Sequence, residues 1–110
     1  MERHLMVVMT NPVEGRKAEY NDWYDDQHIP DVLRIPGIVS AERFELSDAQ
    51  RLDPPYPFSF LALYWIETDE LPKVISELKS RSGTGAMPLS DSMASERSVY
   101  LFKSRVAASD

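Results

Sequence analysis

Apolar residues along this chain recur with two periods, and the period assigns each element. Leu5-Met-Val-Val-Met9 is a short unbroken apolar run bounded by Asn11-Pro12, which predicts a strand buried on both faces. Tyr20, Trp23, Tyr24 and Gln27 then fall at i, i+3, i+4 and i+7, with His28 one turn after Tyr24. That spacing predicts a helix with one aromatic side, leaving Glu19, Asp22, Asp25 and Asp26 to face water. Asn11 could cap this helix with Pro12 at its first position, or the start could come one turn later, past Gly15. Pro30 lacks an amide hydrogen and biases Ile29 away from helical ψ, so a break or kink is expected near His28. A further turn, Asp31-Val-Leu-Arg34, precedes the terminator Pro36-Gly37.

Ile38 to Leu46 reads as a second strand, with Ile38, Phe44 and Leu46 on one face and Val39, Ala41, Arg43 and Glu45 on the other. Ser47 to Pro57 is polar and then Pro-rich, hence a loop. Phe58 to Glu67 is the clearest strand, nearly all apolar or aromatic. Asp69 opens a second helix striped by Leu71, Val74, Ile75 and Leu78, with Lys79 and Arg81 in its last turn and Gly83 as terminator. Arg97 to Arg105 is a last strand, and Ala107 to Asp110 should fray.

The order β-α-β-β-α-β with right-handed crossovers gives an α+β, ferredoxin-like fold over residues 1–110: a four-stranded antiparallel sheet with both helices on one face. The apolar residues exceed what two helices can cover. Met6 and Val8 alternate with Leu5, Val7 and Met9, while Phe58, Phe60 and Tyr64 alternate with Leu61, Leu63 and Trp65. A second copy of the sheet is the simplest cover, so a homodimer through sheet faces is expected. A ligand or the Pro-rich loop is the alternative.

Composition narrows the function. Twelve Lys and Arg against eighteen Asp and Glu give a net charge of −6, which repels phosphate backbones and argues against nucleic acid. Without cysteine there are no disulfides, thiolate nucleophiles or Cys-based zinc sites. Phe60 to Ile66, the longest apolar run, is far too short to span a membrane. The N-terminus lacks the apolar region of a signal peptide, so a soluble cytoplasmic protein is expected.

The chemistry concentrates in Asn21-Asp-Trp-Tyr-Asp-Asp-Gln-His28-Ile-Pro-Asp31-Val-Leu, followed by Pro36-Gly37. This run resembles the W-Y…H-x-P-D…P-G signature of EthD-like proteins, of the dimeric α+β barrel superfamily. The resemblance implies two ferredoxin-like protomers packed sheet to sheet, each with a small cavity between sheet and helices. It fixes the fold better than the reaction, because the superfamily spans polyketide cyclases, muconolactone-type isomerases, cofactor-free monooxygenases, haem-degrading enzymes and aldoxime dehydratases.

His28 is one of two histidines, and imidazole is the side chain that titrates near neutral pH. It is the candidate proton-transfer group, or else a helix-end histidine stapling the kink. Tyr24, one turn earlier, could donate a hydrogen bond to a substrate oxygen, or simply belong to the core face with Tyr20 and Trp23. Asp31 could orient the His28 ring or cap the next turn, and joins Arg43, Trp65 and Tyr64 as candidate substrate-binding residues. A buried Arg43 would need an acidic partner or an anionic ligand, whereas an edge position would pair it in the open with Glu45 or Glu42. Trp65 and Tyr64 offer stacking surfaces for an aromatic ligand, or ordinary core packing.

Other chemistries are excluded by spacing. Gly83-Thr-Gly-Ala-Met-Pro88 follows a helix and has no Lys after it, so it is no phosphate cradle. Helical spacing scatters Asp22, Asp25 and Asp26, and no paired-histidine motif exists, so neither a metal nor a haem on His28 or His4 is expected. The expectation is a cofactor-independent lyase, isomerase or cyclase moving a proton on an apolar or aromatic carbonyl compound in catabolic or secondary metabolism. The alternatives are a non-catalytic binding protein and an oxygen-using or haem-degrading monooxygenase.

Overall fold

The two most apolar strands hold the centre of the sheet. The computed structural model describes residues 1–109. It contains β1 (Arg3–Pro12), α1 (Lys17–Trp23), a π-helical turn (Tyr24–His28), α2 (Ile29–Leu33), β2 (Ile38–Glu45), β3 (Phe60–Glu67), α3 (Leu71–Arg81) and β4 (Met93–Lys103). The sheet order is β2-β3-β1-β4 with every neighbouring pair antiparallel, the ferredoxin-like arrangement. Central position explains the apolar runs Leu5–Met9 of β1 and Phe60–Ile66 of β3.

One face packs on the helices. His4, Met6 and Thr10 of β1 and Phe60, Ala62, Tyr64 and Ile66 of β3 are buried there, against Tyr20, Tyr24, Val32, Ile35 and Val74 from the helical layer. The opposite face has no such cover, and Met9, Phe44, Trp65, Tyr100 and Phe102 are exposed on it. The molecule is accordingly flat, 42 × 40 × 21 Å, which is one sheet plus one helical layer. Among the described residues no helix is long and apolar enough to cross a membrane.

Several boundaries differ from the sequence reading, each for a local reason. Asn11 does not cap α1. Its amide lies inside β1 and grips the 47–59 loop, donating to Pro57 O at 2.8 Å and accepting from Ser59 N at 2.7 Å. The later start holds, after a turn at Gly15, whose φ of 81° suits only glycine. Asp69 likewise precedes α3, its carboxylate accepting from Glu2 N. β3 begins at Phe60 rather than Phe58, and β4 runs from Met93 to Lys103 rather than from Arg97 to Arg105.

In β2 a bulge between Ile38 and Ser40 reverses the expected alternation. Ile38 pairs with Ile66 while Ser40 pairs with Trp65. The inserted residue therefore puts Ile38 on the helix-covered face together with Ala41 and Arg43, and leaves Val39 exposed. Simple period-two counting had placed Ile38 with Phe44.

Candidate functional site

Pro30 does not break the first helical segment. The junction residues Trp23, Tyr24, His28, Ile29 and Arg34 keep right-handed helical dihedrals, and the chain absorbs the missing amide by widening one turn. Ile29 N–H donates to Tyr24 O, five residues back. The wide turn gathers three rings. Trp23 and His28 stack with centroids 4.7 Å apart, and Tyr24 meets His28 edge-on at 5.1 Å and 88°. Trp23 Nε1 also donates to Pro88 O at 3.1 Å, tying this turn to the loop after α3.

Tyr24 and His28 border a cavity of about 440 Å³ between the helices and the sheet. Its inner wall is Met6, Thr10, Tyr64, Val32 and Met87, all buried; Leu78, Ile75, Met93 and Leu101 continue it outward. The surroundings are thus apolar with a few polar hooks. His28 Nδ1 is buried and has no hydrogen-bond partner. Burial pushes the imidazole down to about 4; Asp31 opposes that shift and Arg43 adds to it. The ring is therefore neutral at physiological pH and able to accept a proton.

The buried tyrosines differ in how their hydroxyls are satisfied. Tyr20 shares a hydrogen bond with Thr10 Oγ1. Tyr64 lines the cavity, and its Oη is buried beside the Tyr24 phenol with no hydrogen bond of standard geometry. Burial, reinforced by the neighbouring Tyr24 phenol, pushes Tyr64 well above the ordinary tyrosine range. Burial also raises Tyr24, against the opposing influence of the Tyr64 phenol and Arg43. Both phenols are protonated donors at neutral pH. An unsatisfied buried hydroxyl costs about 1–3 kcal/mol, which a ligand oxygen would recover.

The candidate residues do not all meet. Tyr24, His28 and Tyr64 share the cavity, but Arg43, Asp31 and Trp65 do not line it. Arg43 lies behind Tyr24, its guanidinium carbon 4.2 Å from that ring's centroid and 5.2 and 5.3 Å from those of Phe60 and Tyr20. Its acidic partner is Asp25 at 2.7 Å, not Glu45 or Glu42, and the side chain is only 13% exposed although β2 is an edge strand. The bulge and the aromatic helix face bury it. Asp31 accepts from Gln27 Nε2 at 2.7 Å and Arg34 Nη1 at 2.6 Å, so it neither holds the His28 ring nor caps a helix end. Trp65 points to the open face beneath Arg3, away from Tyr64. The two cannot stack on one ligand.

Other cavity residues escaped the sequence reading. Thr10 interrupts the apolar alternation of β1, and that interruption was a usable signal. Lys79 and Arg97 gave none, because the first reads as a helix-end cation and the second as a strand boundary. Among the described residues no group of three His, Cys, Asp or Glu converges as a metal site would require.

No protein-family model matches the sequence, and no curated protein is significantly similar to it. Solved structures are similar in shape. A proposed monooxygenase from Shewanella loihica PV-4 aligns with a TM-score of 0.62 at 10% identity, covering 99% of each chain. An ethyl tert-butyl ether (EthD) family protein from Bacillus halodurans C-125 aligns with a TM-score of 0.55 at 13% identity, covering 96% of this chain and 100% of that one. At such identities the likeness is one of architecture. The chain resembles EthD-like proteins in its α+β, ferredoxin-like fold, and its W-Y…H-x-P-D segment is the wide helical turn that borders the cavity.

Proposed function

We propose that this chain is a small cofactor-independent enzyme that moves a proton on an apolar or aromatic carbonyl compound, as a lyase, isomerase or cyclase. It would serve catabolic or secondary metabolism in the cytoplasm, as a homodimer joined through the open sheet faces. The observation that carries the reading is the neutral His28, its Nδ1 unpartnered, beside the Tyr24 and Tyr64 phenols in one apolar cavity.

His28 takes a proton from the carbon next to the carbonyl. The C–H electron pair becomes the enolate double bond, and the negative charge appears on the carbonyl oxygen. A base with so low a pKa does this only if the anion is stabilised as it forms, and the two phenols are suited to that. The new anion in turn raises the basicity of the imidazole beside it. The proton returns to another carbon in an isomerisation, or the enolate expels a leaving group or closes a ring.

Hydrogen exchange tests this without knowledge of the natural substrate. In D₂O the protein should speed deuterium incorporation into phenylacetone and related aryl ketones above the buffer rate, read by proton NMR. His28→Gln should reduce that acceleration by ~10²–10⁴-fold, the usual value of a positioned proton-transfer group. Tyr24→Phe should give a smaller loss, since the ring is kept. Binding of these ketones without any exchange would make the chain a non-catalytic small-molecule carrier instead. A visible absorption band in the purified protein would point to an oxygen-using or haem-degrading enzyme.

A further inference from the structure

The cavity's charge is opposite in sign to that of the molecule. Carboxylates outnumber basic groups across the chain, for a net charge of −6, yet among the described residues no Asp or Glu lines the cavity. Two cations do: Lys79, in the last turn of α3, and Arg97, which faces Thr10 across the β1–β4 ladder. Both are exposed, whereas Tyr24, Tyr64 and Met87 are buried, so the cations stand at the mouth and the phenols at the inner end. Seven of the other ten basic side chains, Arg16, Lys17, Arg34, Arg43, Lys73, Arg81 and Lys103, are ion-paired with carboxylates; among the described residues Lys79 and Arg97 are not, nor are Arg3, Arg51 and Arg105, which lie outside the cavity.

We infer that the ligand is an apolar keto acid, with a carboxylate held at the mouth by Lys79 and Arg97 and a carbonyl oxygen taken by the phenols at the inner end. A helix C-terminus accounts for a lysine at 79, but not for a second cation across the opening on β4 or for the lack of acidic residues. The Tyr64 hydroxyl, buried beside Tyr24 with no hydrogen bond of standard geometry, supplies the second fixed point, because an oxygen at the far end of the apolar wall would complete its hydrogen bonding. A neutral ketone satisfies only that end. This inference rests on the same cavity as the proton-transfer reading and names its substrate class.

The test compares 3-benzoylpropionate with its methyl ester, which share a skeleton and differ in charge. Binding is measured by calorimetry at low salt on the wild type and on a Lys79→Met, Arg97→Gln double variant. The acid should bind wild-type protein about 10- to 100-fold more tightly than the ester, the range expected of hydrogen bonds to charged groups. The preference should shrink as salt is added and fall to about unity in the double variant. Equal binding of acid and ester by the wild type overturns the inference, as does a preference that survives the double substitution. Because binding is read apart from turnover, the two readings separate. A charge preference that needs Lys79 and Arg97 stands even where aryl ketones show no exchange, and exchange without the preference removes only the keto-acid assignment.

Discussion

The two faces of the sheet are built from the same kinds of residue and differ in what else they hold. On the helix-covered face, Met6, Ala62 and Ile66 are interspersed with polar groups whose hydrogen-bonding capacity is not used up, including Tyr64 Oη and two guanidinium nitrogens of Arg43, and the helical layer adds the buried, unpartnered His28 Nδ1. The open face presents Leu5, Val7, Met9, Leu61, Leu63, Trp65, Tyr100 and Phe102, and its polar members sit toward the edges. Apolar surface alone calls for burial and is indifferent to what buries it. Apolar surface holding buried, unsatisfied donors and acceptors calls for a partner with polar atoms at fixed places. The first property suits a second copy of the sheet; the second suits a ligand.

The sharpest way to break this contrast is a charge at the centre of the open face. Leu63 lies mid-strand, opposite Val7 of β1 and Glu42 of β2. Leu63→Asp should convert a dimer to monomer, weakening association by more than roughly a thousandfold, because a second carboxylate beside Glu42 is an unpaired charge in an apolar interface and costs several kcal/mol. Sedimentation or light scattering reads the result directly. A wild-type protein that is already monomeric at micromolar concentration would mean that the open face is not an interface between copies.

The contrast was only half legible in the sequence. Alternation along β1 and β3 showed that both faces are apolar, and i, i+4 spacing placed Tyr24 beside His28. The bulge that brings Ile38 to the covered face left no mark, since one extra residue changes the register without changing the composition. The wide turn was misread as a break, because a proline removes an amide hydrogen whether the helix ends or expands around it. Arg43 and Asp25 are eighteen positions apart, and their pairing depends on how β2 packs against the wide turn. Whether a tyrosine hydroxyl is satisfied, as in Tyr20, or orphaned, as in Tyr64, likewise depends on distant neighbours that periodicity does not report.

The covered face should also reveal itself through acid sensitivity. His28 titrates near 6.5 when unfolded and about 4 when folded, so folding disfavours its protonation. Above pH 6.5 the imidazole is neutral in both states and imposes no penalty. As pH falls from 6.5 toward 4 the unfolded chain binds the proton first, and stability is lost throughout that window. The loss should reach about 2 kcal/mol by pH 5. Urea unfolding at pH 7 and pH 5, at one protein concentration, should show this for the wild type. His28→Gln should show a difference smaller by about that amount. Equal acid sensitivity in the two proteins would place the ring in contact with water and remove the basis for a dry proton-transfer site.

The smallest effect concerns Arg43 and separates packing from charge on the covered face. Its ion pair with Asp25 is half in solvent, the carboxylate being 59% exposed, and such pairs contribute about 0–1 kcal/mol. Stacking of the guanidinium on Tyr24 adds about 0.5–2 kcal/mol, but two of its nitrogens remain buried without partners, which offsets part of that gain. Arg43→Met keeps the stem against Tyr20, Tyr24 and Phe60 and removes both the charge and the orphaned donors. It should therefore cost less than about 1 kcal/mol. Arg43→Ala opens a gap beneath the three rings and should cost roughly 1–2 kcal/mol more than the methionine variant. The guanidinium also holds the Tyr24 phenol lower than burial alone would, so both variants should move its ultraviolet titration to higher pH. If methionine destabilises as much as alanine, the charge and not the stem supports the aromatic wall of the cavity, and the ion pair with Asp25 is then part of what sets the position of Tyr24.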